Sequence, residues 1–479
     1  MIESSIVLAL SYIVSFIFII SIICFQRRDP VVSVAWILCF LTFPILGPIF
    51  YLIFGLGLKE RTKKQYLQKY ETASKMDIKL TKQLNNKDSQ NDNYKYSDMI
   101  NYFKNIAKSP LTENNSIDIY TKAEDKYKSV LNDIENAKHS IHMLYFIIRN
   151  DYIGNKIVDA LIKKAEEGVE IRVLYDGFGS ILTNSKIFKR LKRTKNAHVA
   201  EFFPVKLFSP SKINHRNHRK LIVIDAKIAY LGGMNIGDEY MGLKKLPWRD
   251  THIRITGEAV FQVQKFFSFD WEFSTGENLS KRAKEYFSFE TDITDKLPIQ
   301  IVASGPDSDA EEIKFGMLKM INSAKKYVYI QTPYFVPDLS FMTALKLASE
   351  SGVDVRLMIP GIPDKKYVYH TTLSYVEELL TSGVKVYSYP GFIHSKTIVC
   401  DDSISTIGTT NIDARSFILH FEINAFIYDE TIAIKNKSIF FDDLSKCTLI
   451  TKKTYEERKK KHPISYLLDG FFRLFSPIM

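Results

Sequence analysis

Two stretches of the chain share one uncommon arrangement of reactive side chains. The first is His218-Arg219-Lys220-Leu221-Ile222-Val223-Ile224-Asp225, and the second is His394-Ser395-Lys396-Thr397-Ile398-Val399-Cys400-Asp401. Both read H-x-K-x-x-x-x-D, and beyond each aspartate comes Gly-x-x-Asn, ending at Asn235 and Asn411. Residues two apart on a strand point to the same side, so each histidine shares a face with its lysine. The apolar run then carries the strand into a core, and Asp225 or Asp401 ends it by organising the turn. Asn235 and Asn411 follow a returning strand, where they can come back beside the histidines and help hold phosphate. Phosphodiester exchange needs a nucleophile, an acid for the departing alcohol and cations around the phosphorus oxygens. Two imidazoles and two lysines supply that list. One copy of the motif would be weak evidence, but two with the same tail point to a single shared site.

The elements around the motifs also come in pairs. Ser140–Ile147 and Tyr327–Phe335 are apolar, β-branched and aromatic, as buried strands are. Each precedes a helical pattern and a second strand, with Gly168 and Gly352 placed as helix C-caps. Strands alternating with helices predict an α/β protein with mostly parallel sheets, built from two pseudo-twofold-related βαβ domains with the site at their interface. We place the first domain at 111–290 with its motif at 218–235, and the second at 291–450 with its motif at 394–411.

Outside these domains the chain is membrane-like. Ser5–Phe25 is an uninterrupted apolar run, long enough to cross a bilayer. Gln26–Pro30 breaks it, and a second apolar stretch runs from Val31 to Leu58, interrupted by Pro44, Gly47 and Pro48. The first residues carry no basic n-region, so residues 1–58 read as an anchor, a transmembrane or re-entrant hairpin, rather than a cleaved signal. Lys59, Arg61, Lys63 and Lys64 then place the two domains on the cytoplasmic side. Residues 59–110 read as a basic stalk and linker, most polar at Asn85–Asn93. At 451–479 a lysine-rich segment leads into an apolar-and-charged tail, read as an amphipathic helix either docked on the protein or lying in the membrane interface.

Composition agrees. The formal charge of +11 implies an anionic partner, nucleic acid or acidic membrane. Its basic clusters flank apolar segments, which favours lipid and argues against nucleic acid. Cys24, Cys39, Cys400 and Cys447 are far apart, which suggests neither a disulfide framework nor a zinc site.

The paired motifs resemble the signature of the phospholipase D superfamily, and further stretches resemble its bacterial cardiolipin synthases. These include Arg27-Arg28-Asp29-Pro30 before Trp36, Asn214–Lys220, Trp248-Arg249-Asp250-Thr251-His252, Gln331–Pro337, Asp413-Ala414-Arg415-Ser416-Phe417 and the closing Phe475-Ser476-Pro477. The resemblance implies condensation of two phosphatidylglycerols into cardiolipin and glycerol through a phosphatidyl-histidine. It implies His218 as nucleophile and His394 as the acid, then base; symmetry alone would permit the reverse. Asp250 and Glu422 fall where that superfamily carries the acids that orient the histidines. No cofactor or metal is expected, because Lys220 and Lys396 replace the divalent cation of most phosphoryl-transfer sites. The partners expected are phosphatidylglycerol and anionic membrane lipid. A hydrolytic phospholipase D, or a phosphatidyltransferase using another alcohol, would carry the same constellation. A nucleic-acid phosphodiesterase would share the motif too, and an inactive scaffold would need a broken one.

Overall fold

The computed structural model describes residues 2–25, 30–55, 62–64, 66, 95–183, 185–204, 214–287, 293, 295–308 and 310–479. The polar stretch at 85–93 and most of the basic stalk lie outside the described residues.

At the N-terminus, Ile2–Phe25 is one helix, and its span Ile6–Phe25 is long and apolar enough to cross a membrane. The second apolar segment is not a single span. Pro30–Thr42 is helical, the chain breaks at Phe43-Pro44-Ile45, and Leu46–Phe50 resumes the helix. Pro44 cannot donate to a helical ladder, and its carbonyl instead accepts from Ser15 Oγ at 3.1 Å. Phe18, Trp36, Phe40 and Tyr51 form an aromatic cluster that holds the second segment against the first.

The folded region begins earlier than its expected boundary at 111. Ser97–Asn105 is a helix whose Met99, Ile100 and Phe103 are buried, with the Phe103 ring 4.6 Å from that of Phe426. Nine residues with so few apolar positions carry too little periodicity to separate them from a linker.

The first domain contains β1 (Asn115–Tyr120), β2 (Ser140–Tyr145), β3 (Glu170–Asp176), β4 (Ala197–Phe202), β5 (Arg216–Asn217), β6 (Lys220–Ile224), β7 (Ile228–Gly232), β8 (Trp248–Arg249) and β9 (His252–Gly257). Seven of these form a sheet in the order β1-β9-β7-β6-β2-β3-β4. The second domain contains β10 (Ile299–Ser304), β11 (Tyr327–Gln331), β12 (Phe335–Val336), β13 (Asp354–Pro360), β14 (Lys385–Tyr389), β15 (Phe392–Ile393), β16 (Thr397–Cys400), β17 (Ile404–Gly408), β18 (Ile412–Asp413), β19 (His420–Ile427) and β20 (Thr448–Ile450). Its sheet runs β10-β19-β17-β16-β11-β13-β14-β20, the first sheet's order with one strand added at the edge.

The expectation of mostly parallel sheets is corrected. Along the two strand orders just given, β2-β3-β4 and β11-β13-β14 pair in parallel across helical crossovers, and the remaining pairings are antiparallel. The reason lies in the motif itself. A parallel return needs a long crossover, but only Asp225, Ala226 and Lys227 separate β6 from β7. Asp225 and Ala226 have φ of 52° and 53°, and Asp401 and Asp402 both have 53°, the left-handed pair that a tight hairpin requires. Asp225 accepts from the backbone N–H of Lys138, His139 and Ser140 at 2.7–2.9 Å, and Asp401 accepts equivalently from Lys325, Lys326 and Tyr327. These aspartates hold the ends of strands.

The two sheets share a core. Leu221, Val223, Leu231 and Ile253 of the first pack in one apolar cluster with Ile407, Phe421, Ile423 and Ala425 of the second. Burying these β-branched faces on each other fixes the ends of β6 and β16 next to one another.

Candidate active site

Two short exchanges of backbone bring the motifs together. The segment before His218, β5, pairs in parallel with β19, and the segment before His394, β15, pairs in parallel with β8. His218 N–H then donates to the Phe421 carbonyl at 2.9 Å, and His394 N–H to the Arg249 carbonyl at 2.6 Å. In each case the next residue along the partner segment is an acid. His218 Nδ1 lies 2.8 Å from Glu422 Oε1, and His394 Nδ1 lies 2.6 Å from Asp250 Oδ2. Each histidine is therefore held by the acid of the opposite half. Gly233 keeps room for this pairing, because a Cβ there would sit 2.1 Å from Asp250 Oδ1.

Both lysines are fully buried beside their histidines. Lys220 Nζ donates to the His218 carbonyl at 2.5 Å, and Lys396 Nζ donates likewise to that of His394. Burial lowers Lys220 to about 7 against the pull of Glu422, and lowers Lys396 to about 8 against Asp250 and Glu422. Burial, reinforced by Lys220, His420, Lys396 and His394, holds His218 well below the usual imidazole range. Burial and Lys396 bring His394 down to about 4, with Asp250 opposing. Glu422 is pushed up to about 8 by burial, while Lys220 and the Thr409 hydroxyl, which donates to Oε2 at 2.5 Å, oppose it. Glu422 thus meets both the Thr409 hydroxyl and His218 Nδ1, and a proton on Nδ1 would leave Nε2 as the unprotonated ring nitrogen.

The two asparagines are not equivalent. Asn235 accepts from Ile147 N–H at 3.1 Å and donates to the Tyr240 hydroxyl at 2.8 Å, so its amide is largely committed within the fold. Its influence on the site runs through Tyr240, whose hydroxyl is 3.4 Å from His394 Nδ1. Asn411 instead lines a cavity of about 550 Å³ that opens on His218, Arg415 and His420. Its Oδ1 is buried and has no hydrogen-bond partner among the described residues. Asp225 and Asp401 lie at the far ends of β6 and β16 from the histidines, away from this cavity.

His420, Thr409, Tyr240 and Phe146 belong to the site without having been singled out from the sequence. His420 had a usable signal, since it precedes Glu422 by two on one strand and so shares its face. The Phe146 ring packs edge-on to His218 at 5.0 Å, which could only be read from the folded chain. His218, His420 and Glu422 place possible ligand atoms within 4.8 Å of one another. Glu422 is already engaged by His218 and Thr409, and the charges of Lys220 and Lys396 repel a divalent ion, so this trio fits a metal poorly.

Two oriented imidazoles, two buried lysines and an adjoining cavity of about 550 Å³ thus lie together on a phospholipase D-like fold. The family profile described as "Cardiolipin synthase, PLD-like domain" matches residues 130–271 and 317–444, and "Phospholipase_D-nuclease N-terminal" matches 13–55. The chain is 43% identical to the major cardiolipin synthase of Bacillus subtilis, aligned over 99% of each chain. It is 42% identical to a cardiolipin synthase of Oceanobacillus iheyensis over 99% of each, and 41% to one of Staphylococcus aureus over 98% of this chain and 96% of that one. A crystal structure of phosphatidylserine synthase from Haemophilus influenzae shares the fold at a TM-score of 0.62 and 16% identity, covering 80% of this chain and all of that one. The chain belongs to the bacterial cardiolipin synthase family of the phospholipase D superfamily.

Proposed function

We propose that the protein condenses two phosphatidylglycerol molecules into cardiolipin and glycerol through a covalent phosphatidyl-histidine. The observation that carries this reading is the reciprocal pairing of His218 with Glu422 and His394 with Asp250. Two separately oriented imidazoles suit a two-step transfer with one covalent intermediate. His218 Nε2 attacks phosphorus, and the bond from phosphorus to the glycerol oxygen breaks. His394, protonated in the bound complex, delivers its proton to that oxygen. The terminal hydroxyl of a second phosphatidylglycerol then loses its proton to His394 and attacks phosphorus. The phosphorus–nitrogen bond breaks, and His218 is regenerated. Lys220 and Lys396 hold the negative oxygens throughout, so charge that develops in the transition state meets preorganised cations. Asn411, whose unpartnered Oδ1 is an acceptor, is suited to a substrate hydroxyl.

The two domains are best read as pseudo-twofold copies, supported by their shared strand order and reciprocal exchange of short strands. The N-terminal segments are read as a hairpin in the cell membrane, with the domains on its cytoplasmic side, supported by the basic residues after Leu58. Anionic lipid, rather than nucleic acid, suits a cavity lined by Phe471, Phe472, Phe475 and Met479 together with Lys365 and Arg415.

The test is product analysis after the purified protein meets phosphatidylglycerol alone. Cardiolipin with an equivalent of glycerol is expected. Phosphatidic acid as the main product would make the protein a hydrolase.

A further inference from the structure

Helix Pro463–Arg473 and the residues after it occupy a place that the reaction alone does not explain. The segment is seated by specific bonds. Asp469 is buried and takes His370 Nδ1 at 2.7 Å and Arg458 Nη1 at 2.6 Å. Tyr375 and Ser476 hydroxyls meet at 2.9 Å, and Arg415 N–H donates to the main-chain oxygen of Met479 at 3.1 Å. The segment is thus fixed on helix Lys366–Thr381 and on the loop after β18 that carries Arg415.

Its two sides face different surroundings. Phe471, Phe472, Phe475 and Met479 line the same cavity as His218 and Asn411. On the outside, Ile464, Leu467, Phe471 and Leu474 are 74%, 71%, 52% and 75% exposed. These fall at i, i+3, i+7 and i+10, which is one stripe along a helix. A water-facing helix does not normally carry such a stripe uncovered. Phe471 belongs to both sets, so the stripe is continuous with the cavity wall. The preceding helix, Lys452–Lys461, exposes Lys452, Lys453, Lys460 and Lys461 beside it.

We infer that this segment is the lipid gate of the active site: its stripe rests in an anionic bilayer, and its inner face forms the acyl-chain wall leading to His218. An apolar stripe flanked by lysines is complementary to acyl chains beneath anionic headgroups, and less so to a protein surface. The wall lets acyl chains stay in apolar surroundings while the phosphate reaches His218. This rests on the proposed function and specifies where its substrate enters.

The experiment uses the full-length protein and compares phosphatidylglycerol in vesicles with monomeric dihexanoyl phosphatidylglycerol. In Leu467→Glu/Leu474→Glu, the ratio of vesicle to monomer turnover should fall at least tenfold. An unchanged ratio overturns the inference. Independently, Leu474→Trp should show fluorescence quenched by vesicles with brominated acyl chains, and absence of quenching also overturns it. Quenching lost together with a doubled mass in detergent would assign this face to a second copy of the chain. Phe475→Ser should raise KM for long-chain substrate several-fold more than for dihexanoyl substrate, and equal shifts count against the acyl wall. If the unmodified protein forms no cardiolipin while quenching persists, the reaction is misassigned and the membrane face stands.

Discussion

His218 and His394 occupy the same backbone frame in their two domains, yet their surroundings differ. Each donates its N–H to the carbonyl preceding the opposite half's acid. Around His394 the space is closed by aromatic rings, with Trp248 at 5.0 Å, Phe392 at 5.7 Å and Tyr240 at 5.8 Å. His218 has Phe146 and His420 beside it and lines the cavity of about 550 Å³. The shared frame orients both imidazoles in the same way; access distinguishes them. A residue that must carry a phosphatidyl group needs room for two acyl chains, whereas one that only moves protons does not. The position of His394 two residues from Phe392, in a ring-lined pocket, suits the second task.

The sharpest way to break this comparison is to remove each imidazole. His218→Ala should abolish adduct formation and lower turnover by about 10⁴-fold or more, while His394→Ala should still accumulate a phosphatidyl adduct on His218 from a substrate with a good leaving group. Peptide mapping decides, and an adduct on His394 in His218→Ala would reverse the roles. The crossed acids come next. Glu422→Gln should slow adduct formation and Asp250→Asn its protonation steps, each by up to about 10⁴-fold through loss of the oriented tautomer. Rapid-quench kinetics would expose the opposite pattern if each acid served the histidine of its own half.

The lysines should behave more alike than the histidines. Lys220→Met and Lys396→Met should each raise the barrier by roughly 3–4 kcal/mol, the scale of one lost oxyanion donor. Their pH behaviour comes from burial. A lysine whose pKa is depressed is charged below it and loses its cation as pH rises through it, here about 7 for Lys220 and about 8 for Lys396. The log of kcat/KM should therefore fall above about pH 7–8, and Lys220→Arg should remove one limb, because guanidinium stays charged. A profile flat to pH 10 would show that the lysines keep their protons in the free site.

The smallest effect concerns the stalk. Tyr66 is 3% exposed, donates to Asp270 Oδ1 at 2.8 Å and accepts from Arg219 Nη1 at 3.3 Å, directly behind His218. The basic stalk thus reaches the first domain. Tyr66→Phe leaves the Arg219–Asp270 pair at 2.8 Å intact and should cost about 1 kcal/mol of stability, read by unfolding in detergent. No change would mean that the stalk docks without contributing.

Much of the site could be read along the chain because its parts are local. Histidine and lysine share a strand face by spacing alone, Asp225 and Asp401 announce a turn, and the apolar runs of β2 and β11 mark buried strands. An apolar helix at Ile6–Phe25 needs no tertiary context to be recognised. Other features come from residues far apart in sequence, and no local period encodes them. That Glu422 serves His218 rather than His394 depends on β5 pairing with β19, about two hundred positions away. Strand direction was decided by the hairpin after each motif, which overrode the βαβ pattern. The tail had two readings from its amphipathicity. Only its packing on helix Lys366–Thr381 showed which side meets the cavity and which is left bare, because a helical stripe states that an apolar face exists but not what it will touch.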